Sequence, residues 1–555
     1  MTWYLELPGD SYEAAYENFD WALPEDYNIA YDFLRKHEDP ADRTALRQGY
    51  PDGRRATYSF AEVDRHTNRL AHALADLGVE RGDRVAIMVP QKPAALFTHL
   101  ACWKLGAVSV PLSMLFGADA VQYRLEDCDA SVLIADTSVI DTATDVQAAC
   151  PSLAHVIEVD GDPGADHPAF ADLIADRPDE FKLAATTADT PAILMYTSGS
   201  TGPPKGVLHT HGVWVGVCPI YAMYFGQGDV TANILDNLVV YGHAEWAWIG
   251  SLGFTVLPAW HYGRPIVGFA QEGFDPARSF DILEEFGVTH VMFVPTALRM
   301  VMAAGIEPGE YDLALETMMS GSESVTPEII EWVETAFEDV TINENYGQTE
   351  VTGPLSNCAA WFDPKPGSMG KPVPGSDVAV IDPETGDPKS TGEIGEIAVR
   401  RDPAHPGIFQ EYWNDPERTD AARTGGWHLT GDLARVDHEG YFWFESRADD
   451  LIITSGYRVS PIDVEKAILE HEAVTQAGVI GVADERRGEV IKAYVETPVE
   501  DQEALADDVK RLVRDRMAKY AYPREIEVVE QLPKTVTGKI KRATLRERAA
   551  DNERA

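Results

Sequence analysis

Between Ser59 and Gly78 the apolar positions Val63, Leu70, Leu74 and Leu77 recur at helical spacing, with polar and charged residues between them. Ser59 and Glu62 open that run with the spacing of a capping box, in which each side chain satisfies an N–H group of the first turn. Gly78 ends it, so one helix is predicted here. The period then changes. Arg84-Val85-Ala86-Ile87-Met88-Val89 is a short, nearly continuous apolar run, the mark of a buried strand. Similar runs return at 131–135, 155–159, 192–195 and 290–294. Strands separated by helix-length segments predict βαβ units, mainly parallel sheets and an α/β fold. No fixed-period repeat or low-complexity tract breaks the alternation.

The last hundred residues follow another pattern. Residues 440–444 and 451–454 read as strands around the charged turn Arg447-Ala448-Asp449-Asp450. Ser460-Pro461-Ile462-Asp463 then starts a helix: Ser caps, Pro takes the first turn and Asp sits at the positive dipole end. Leu505, Val509, Leu512, Val513 and Met517 mark a second amphipathic helix. A chain of 555 residues exceeds the ~100–200 residues of one domain. The expected division is 1–448 and 449–555.

Charge narrows the partners. The 91 acidic residues against 46 basic ones give a formal net charge of −45, which repels nucleic acid phosphates and anionic membrane surfaces. The excess also fits a surface adapted to high salt, where the Debye length falls to ~3 Å and self-repulsion is screened. Five widely spaced cysteines with no C-x-x-C argue against a disulfide framework or a zinc site. The acidic N-terminus is not a signal peptide. The longest uncharged stretch, from about Trp246 to His261, contains Gly and Pro and is shorter than the ~20 residues of a membrane span. A cytoplasmic protein is expected, with the oligomeric state open.

The candidate chemistry begins at Thr197-Ser198-Gly199-Ser200-Thr201-Gly202-Pro203-Pro204-Lys205-Gly206. Glycines let backbone N–H groups approach an anion; the hydroxyls add donors and the lysine a point charge. Lys205 lies between Pro204 and Gly206, so the G-x-x-x-x-G-K-[ST] phosphate loop does not apply. Alone, the segment has a second reading, a flexible surface turn, that carries less weight than the phosphate loop. Downstream lie Tyr346-Gly347-Gln348-Thr349-Glu350, Trp427-His428-Leu429-Thr430-Gly431-Asp432, Arg447, and Pro533-Lys534-Thr535-Val536-Thr537-Gly538-Lys539. Thr donates to phosphate oxygens, Glu is a hard oxygen ligand for Mg²⁺, and a carboxylate after a Gly turn accepts two ribose hydroxyls. His209 and His211 form H-x-H with no third ligand in view and are assigned structural roles.

These stretches, in this order and over nearly the whole chain, resemble the adenylate-forming superfamily of acyl-CoA synthetases, luciferases and peptide-synthetase adenylation domains. They look most like medium-chain acyl-CoA synthetases. The resemblance implies a large N-terminal domain of packed α/β subdomains with a small β-barrel-like part, followed by a small mobile α+β C-terminal domain. It implies that a carboxylate attacks the α-phosphorus of MgATP, giving acyl-AMP and pyrophosphate, and that CoA then displaces AMP. By motif, Thr197, Ser198, Gly199, Ser200, Thr201, Gly202 and Lys205 would hold the β- and γ-phosphates. Thr349 would bond the α-phosphate, Glu350 would bind Mg²⁺, and Lys539 would bridge the acid and the α-phosphate. Gly321, Ser322, Glu323 and Tyr346 would flank adenine; Asp432, with Arg447 and Arg458, would serve the ribose and phosphate. Asp449 would be the hinge of a rotating domain, and Ser455, Gly456 and Tyr457 would line the CoA tunnel.

Acetyl-CoA synthetases of this superfamily carry Trp where this chain has Gly347. The resemblance therefore implies a medium-chain, branched or aromatic acid, with Trp246, Ala247, Trp248 and Gly347 at the acyl pocket. Two alternatives stand beside this one: an adenylating enzyme that loads a carrier protein, and a non-catalytic nucleotide-binding homologue, whose usual mark would be loss of Lys539 or Glu350.

Overall fold

A computed structural model describes residues 4–162, 166–197, 203–226, 237–271, 273–323, 325–337, 339–401, 405–454, 457–484, 487–499, 502–517, 521–534 and 540–554. The chain forms two compact units, the first comprising Met1–Thr197, Pro204–Val378 and Val399–His428, the second Ala379–Ala398 and Leu429–Ala555. The boundary expected at 448/449 falls inside the second unit.

Two large sheets build the first unit. One runs in the order Lys371–Pro372, Leu355–Ser356, Thr341–Tyr346, Thr317–Gly321, His290–Met292, Val240–Gly242, Ile266–Phe269, Thr44–Gly49, Arg55–Ser59. Its middle strands are parallel. The other runs Glu411–Tyr412, Lys205–Thr210, Pro191–Thr197, Val108–Pro111, Arg84–Met88, Val132–Asp136, His155–Val159. The apolar runs seen in the sequence are these strands, buried nearly throughout. The predicted helix spans Phe60–Asp76, with both hydrogen bonds of the Ser59–Glu62 capping box and Gly78 at φ 88°. A smaller sheet, Val378–Ile381, Gly395–Arg400, Trp427–Val436 and Arg423–Thr424, with Phe442–Arg447 against Trp427–Val436, answers to the barrel-like part. The second unit's own sheet joins Tyr457–Val459, Ile452–Thr454, Gly488–Glu496, Gln476–Asp484 and Glu525–Val529. Against it packs helix Pro461–Leu469, whose Ser460 cap accepts from Asp463 N–H as expected.

The first unit's core contains one closed ionic cluster. Lys36 Nζ meets Asp32 Oδ1 at 2.6 Å, and neither side chain is more than 3% exposed. His261 Nε2 accepts from the Leu5 N–H at 3.0 Å, so its proton sits on Nδ1 and donates to Asp32 Oδ2 at 2.8 Å. Tyr27 Oη also donates to Asp32. The cluster joins helix Ile29–Leu34, helix Leu257–His261 and the N-terminal segment. All five cysteines are buried free thiols. Among the described residues no helix is long and apolar enough to cross a membrane.

Candidate active site

The antiparallel strands Pro191–Thr197 and Lys205–Thr210 pair with Thr197 opposite Lys205. Their register therefore fixes both ends of the glycine-rich loop; Ser198, Gly199, Ser200, Thr201 and Gly202 lie outside the described residues. Thr197 ends its strand with a buried hydroxyl that has no hydrogen-bond partner among the described residues. Lys205 Nζ forms an ion pair with Glu350 Oε1 at 2.6 Å and donates to Tyr412 Oη at 2.9 Å. Tyr412 Oη in turn donates to Glu350 Oε1 at 2.9 Å, closing a triangle. Strand pairing explains the meeting, since Glu411–Tyr412 lies antiparallel to Lys205–Thr210 with Tyr412 opposite Val207. The Phe409 N–H holds the Glu350 carbonyl at 2.9 Å. Burial alone would push the Glu350 carboxyl up, but the Lys205 ammonium and the bonds from Lys205 and Tyr412 outweigh it, and the group sits below its usual range.

Thr349 precedes Glu350, and its backbone is held by the first of the two H-x-H histidines: His209 Nε2 lies 2.5 Å from the Thr349 carbonyl. Burial lowers His209 to about 4, so the ring is neutral and donates through Nε2. His209 thus has a structural role, as assigned, in fixing the Thr349 backbone. His211 fits its structural assignment, accepting from the Ile29 N–H at 3.2 Å. The buried ring of His428 stacks edge-on to Phe409 and is also lowered to about 4 by burial.

The adenine candidates meet at the carboxyl ends of neighbouring parallel strands, where open α/β sheets bind ligands. Gly321 ends Thr317–Gly321 opposite Asn345, and Tyr346 ends Thr341–Tyr346. A Cβ at Gly321 would stand 2.5 Å from Asn345 Oδ1, so only glycine fits that approach. Ser322 follows at φ 71°, a strained position for a residue with a side chain. Glu323 turns away, bonded to Thr296 Oγ1 at 2.8 Å and Arg299 at 2.7 Å.

The ribose candidates belong to the second unit. Asp432 and Arg447 are cross-strand partners, and Arg447 Nη1 meets Asp432 Oδ1 at 2.9 Å. Arg447 Nε also reaches Asp449 Oδ1 at 3.3 Å, so one guanidinium serves both the ribose candidate and the expected hinge. Gly431 turns at φ 71°, its N–H donating to Glu396 Oε1 at 2.7 Å. Arg458 and Tyr457 sit on strand Tyr457–Val459. Lys539, Ser455 and Gly456 lie outside the described residues.

At the acyl candidates, Trp246 is buried against strand Ile266–Phe269, as a packing residue would be. Trp248 is half-buried, edge-on to Phe116, and Ala247 is half-buried between them in sequence. The space beside Gly347 is not open. A Cβ there would lie 2.8 Å from the Gly353 N and 3.1 Å from Phe254 Cζ. The absent indole therefore leaves no empty volume at this point.

Among the described residues no three metal-ligating side chains cluster. A magnesium ion that arrives with nucleotide needs no such cage, because it is held by one or two carboxylates plus phosphates and water. The buried, ionised Glu350 carboxylate fits that donor set. Sequence reasoning missed Tyr412. Tyr412 leaves only a faint signal, an aromatic residue just before the Asp415-Pro416-Glu417 helix start.

Comparison with known proteins shows the family. Residues 33–413 match the family model of the AMP-binding enzymes, and residues 463–539 that of the AMP-binding enzyme C-terminal domain. An uncharacterized acyl-CoA ligase of Bacillus subtilis, YtcI, is 36% identical over 95% of this chain and 97% of its own. The acetyl-coenzyme A synthetase of the same organism is 34% identical over 97% of this chain and 94% of its own. The crystal structure of the anthranilate CoA ligase AuaEII with anthranoyl-AMP superposes with a TM-score of 0.84 at 29% identity, covering 96% of this chain and 99% of that one.

Proposed function

From the premise that the chain belongs to the AMP-binding enzymes and is an AMP-forming acyl-CoA ligase, we propose that its acid is a medium-chain, branched or aromatic carboxylate rather than acetate. The two solved or curated relatives above bracket the choice, one named for acetate and one for an aromatic acid. The likeness to the anthranilate CoA ligase supports the larger acids, whereas the packed surroundings of Gly347 add nothing to it. Each further methylene buried in an apolar pocket contributes ~0.8 kcal/mol.

The observation that carries the chemistry is the triangle Lys205–Glu350–Tyr412 at the end of the glycine-rich loop. The acid's oxygen attacks the α-phosphorus and the bond to the β-phosphate oxygen breaks, releasing pyrophosphate. Lys205 and Thr197 hold that departing anion, and Thr349, its backbone fixed by His209, bonds the α-phosphate. Bound magnesium neutralises phosphate charge, and Glu350 is the residue to hold it. Tyr346 and the 321–323 backbone flank adenine, and Asp432 accepts the ribose hydroxyls beside Arg447. Lys539 brings its charge to the acid and α-phosphate, so that two anions meet. In the second step the CoA sulfur forms the thioester as the acyl–phosphate bond breaks, AMP leaves and the thiol proton goes to solvent. In this reading Ser455, Gly456 and Tyr457 serve the CoA path, Arg458 phosphate and Asp449 the pivot between steps.

Acid-dependent ATP–pyrophosphate exchange over a panel of acids in high KCl, followed by thioester formation with CoA, tests this. We expect larger acids to lead and acetate to trail; acetate as the best acid overturns the assignment. Lys539→Ala is expected to abolish exchange while still converting supplied acyl-AMP to thioester.

A further inference from the structure

We infer that the Lys205 ammonium holds the place of a divalent cation on Glu350, and gives it up only when a nucleotide brings both the metal and a phosphate. This rests on the reading of Glu350 as the residue for magnesium. The Glu350 side chain is buried, and a buried carboxylate left without a counter-charge is strongly destabilising. It therefore needs a positive partner in every state of the protein. Among the described residues Lys205 is the one cation paired with it, Nζ to Oε1 at 2.6 Å. The neighbouring rings of His209 and His428 are neutral and supply no charge. Tyr412 Oη, 2.9 Å from the same Oε1 and 2.9 Å from Nζ, adds a hydrogen bond but no charge either. An ammonium and a hard divalent ion compete for the same carboxylate oxygens. While the lysine is in place, the carboxylate is already neutralised and has little affinity for a metal alone. Lys205 is also built to leave. Its charge ends a flexible four-carbon stem, and the side chain is 20% exposed. It stands opposite Thr197 where the two strands meet the glycine-rich loop. Turning from Glu350 to a phosphate oxygen keeps every charge paired: the carboxylate passes from ammonium to metal as the ammonium passes from carboxylate to phosphate. Metal binding thus follows nucleotide rather than preceding it.

Metal binding without nucleotide is the readout, because it needs no turnover and a role confined to stability would leave it unchanged. Manganese(II) is titrated into the full chain and followed by electron paramagnetic resonance. Molar KCl screens the acidic surface during the titration. The parent, Lys205→Met, Glu350→Gln and the double variant are compared, each checked for folding by thermal melt. Lys205→Met is expected to bind one further ion, at least about tenfold more tightly than the parent binds any, and its melting midpoint is expected to rise more with added magnesium. The added site is expected to vanish in the double variant. If Lys205→Met does not fold without metal, Lys205→Gln, which keeps a hydrogen-bond donor but not the charge, decides by the same comparison. Equal binding by the parent and the lysine variants overturns the inference, and so does an added ion that survives Glu350→Gln. Either result leaves the ligase reading intact, since pyrophosphate exchange judges that separately.

Discussion

Two lysine–carboxylate pairs in the first unit share the same 2.6 Å separation and mean different things. In Asp32–Lys36 the side chains are at most 3% exposed, and His261 and Tyr27 donate to the remaining lone pairs of Asp32. Every group there faces protein, and the cluster ties the N-terminal segment to two helices. In Lys205–Glu350 the lysine is 20% exposed and sits at the mouth of a glycine-rich loop. One pair is sealed and the other borders the place where a polyphosphate is expected. Distance does not separate structure from function here; burial and the supply of spare valences do.

Breaking the sealed pair should have the largest effect. Asp32→Asn leaves Lys36 without its buried counter-charge, and a melt should show a loss of about 3–5 kcal/mol. The rate per folded molecule at low temperature should stay near that of the parent. Glu350→Gln should do the converse: a melt close to the parent, and a fall of about three decades in pyrophosphate exchange, equivalent to about 4 kcal/mol of charge stabilisation. Tyr412→Phe keeps the pair but removes one hydrogen bond to the carboxylate, so a milder drop of about tenfold is expected, recovered in part by raising magnesium. If Asp32→Asn and Glu350→Gln lose stability equally, the contrast between the two sites fails.

A smaller effect follows from pH. Burial lowers His209, His405 and His428 to about 4 from an ordinary value near 6.5. Between those values the unfolded chain binds more protons than the folded one. Stability is therefore whole above pH 6.5 and is lost as pH falls toward 4, at about 1.4 kcal/mol per pH unit for each such ring. Urea titrations of His428→Phe across this window should show an acid limb shallower by one proton, and an identical limb would contradict the assignment. Salt should distinguish the sites least. With a net charge of −45, melts of the parent and of both carboxylate variants should rise together from low to molar KCl. Exposed pairs are worth under about 1 kcal/mol, and neither cluster relies on them.

Much of the fold was legible because its signals are local. The Ser59–Glu62 box, the Ser460 cap and the apolar runs at 155–159 and 192–195 all form where side-chain periodicity placed them. The motif residues were legible as residue types. What was hidden depends on distant pairing: Tyr412 reaches Glu350 only because strand Glu411–Tyr412 joins Lys205–Thr210. The π-helical turn Leu252–Val256 and the positive φ of Ser322 are imposed by neighbours, since neither sequence favours them. The close packing around Gly347, against the Gly353 backbone and the Phe254 ring, was hidden likewise.

The hydroxyl at Thr197 is buried with no partner among the described residues. A polar group kept dry without a partner costs about 1–3 kcal/mol. Under the proposed role of Thr197, a phosphate oxygen that accepts from it would remove that cost in the bound form alone, and some of the affinity for nucleotide would be frustration relieved. The protein should be at its most robust when it is at work, and its heat resistance will track the nucleotide level around it.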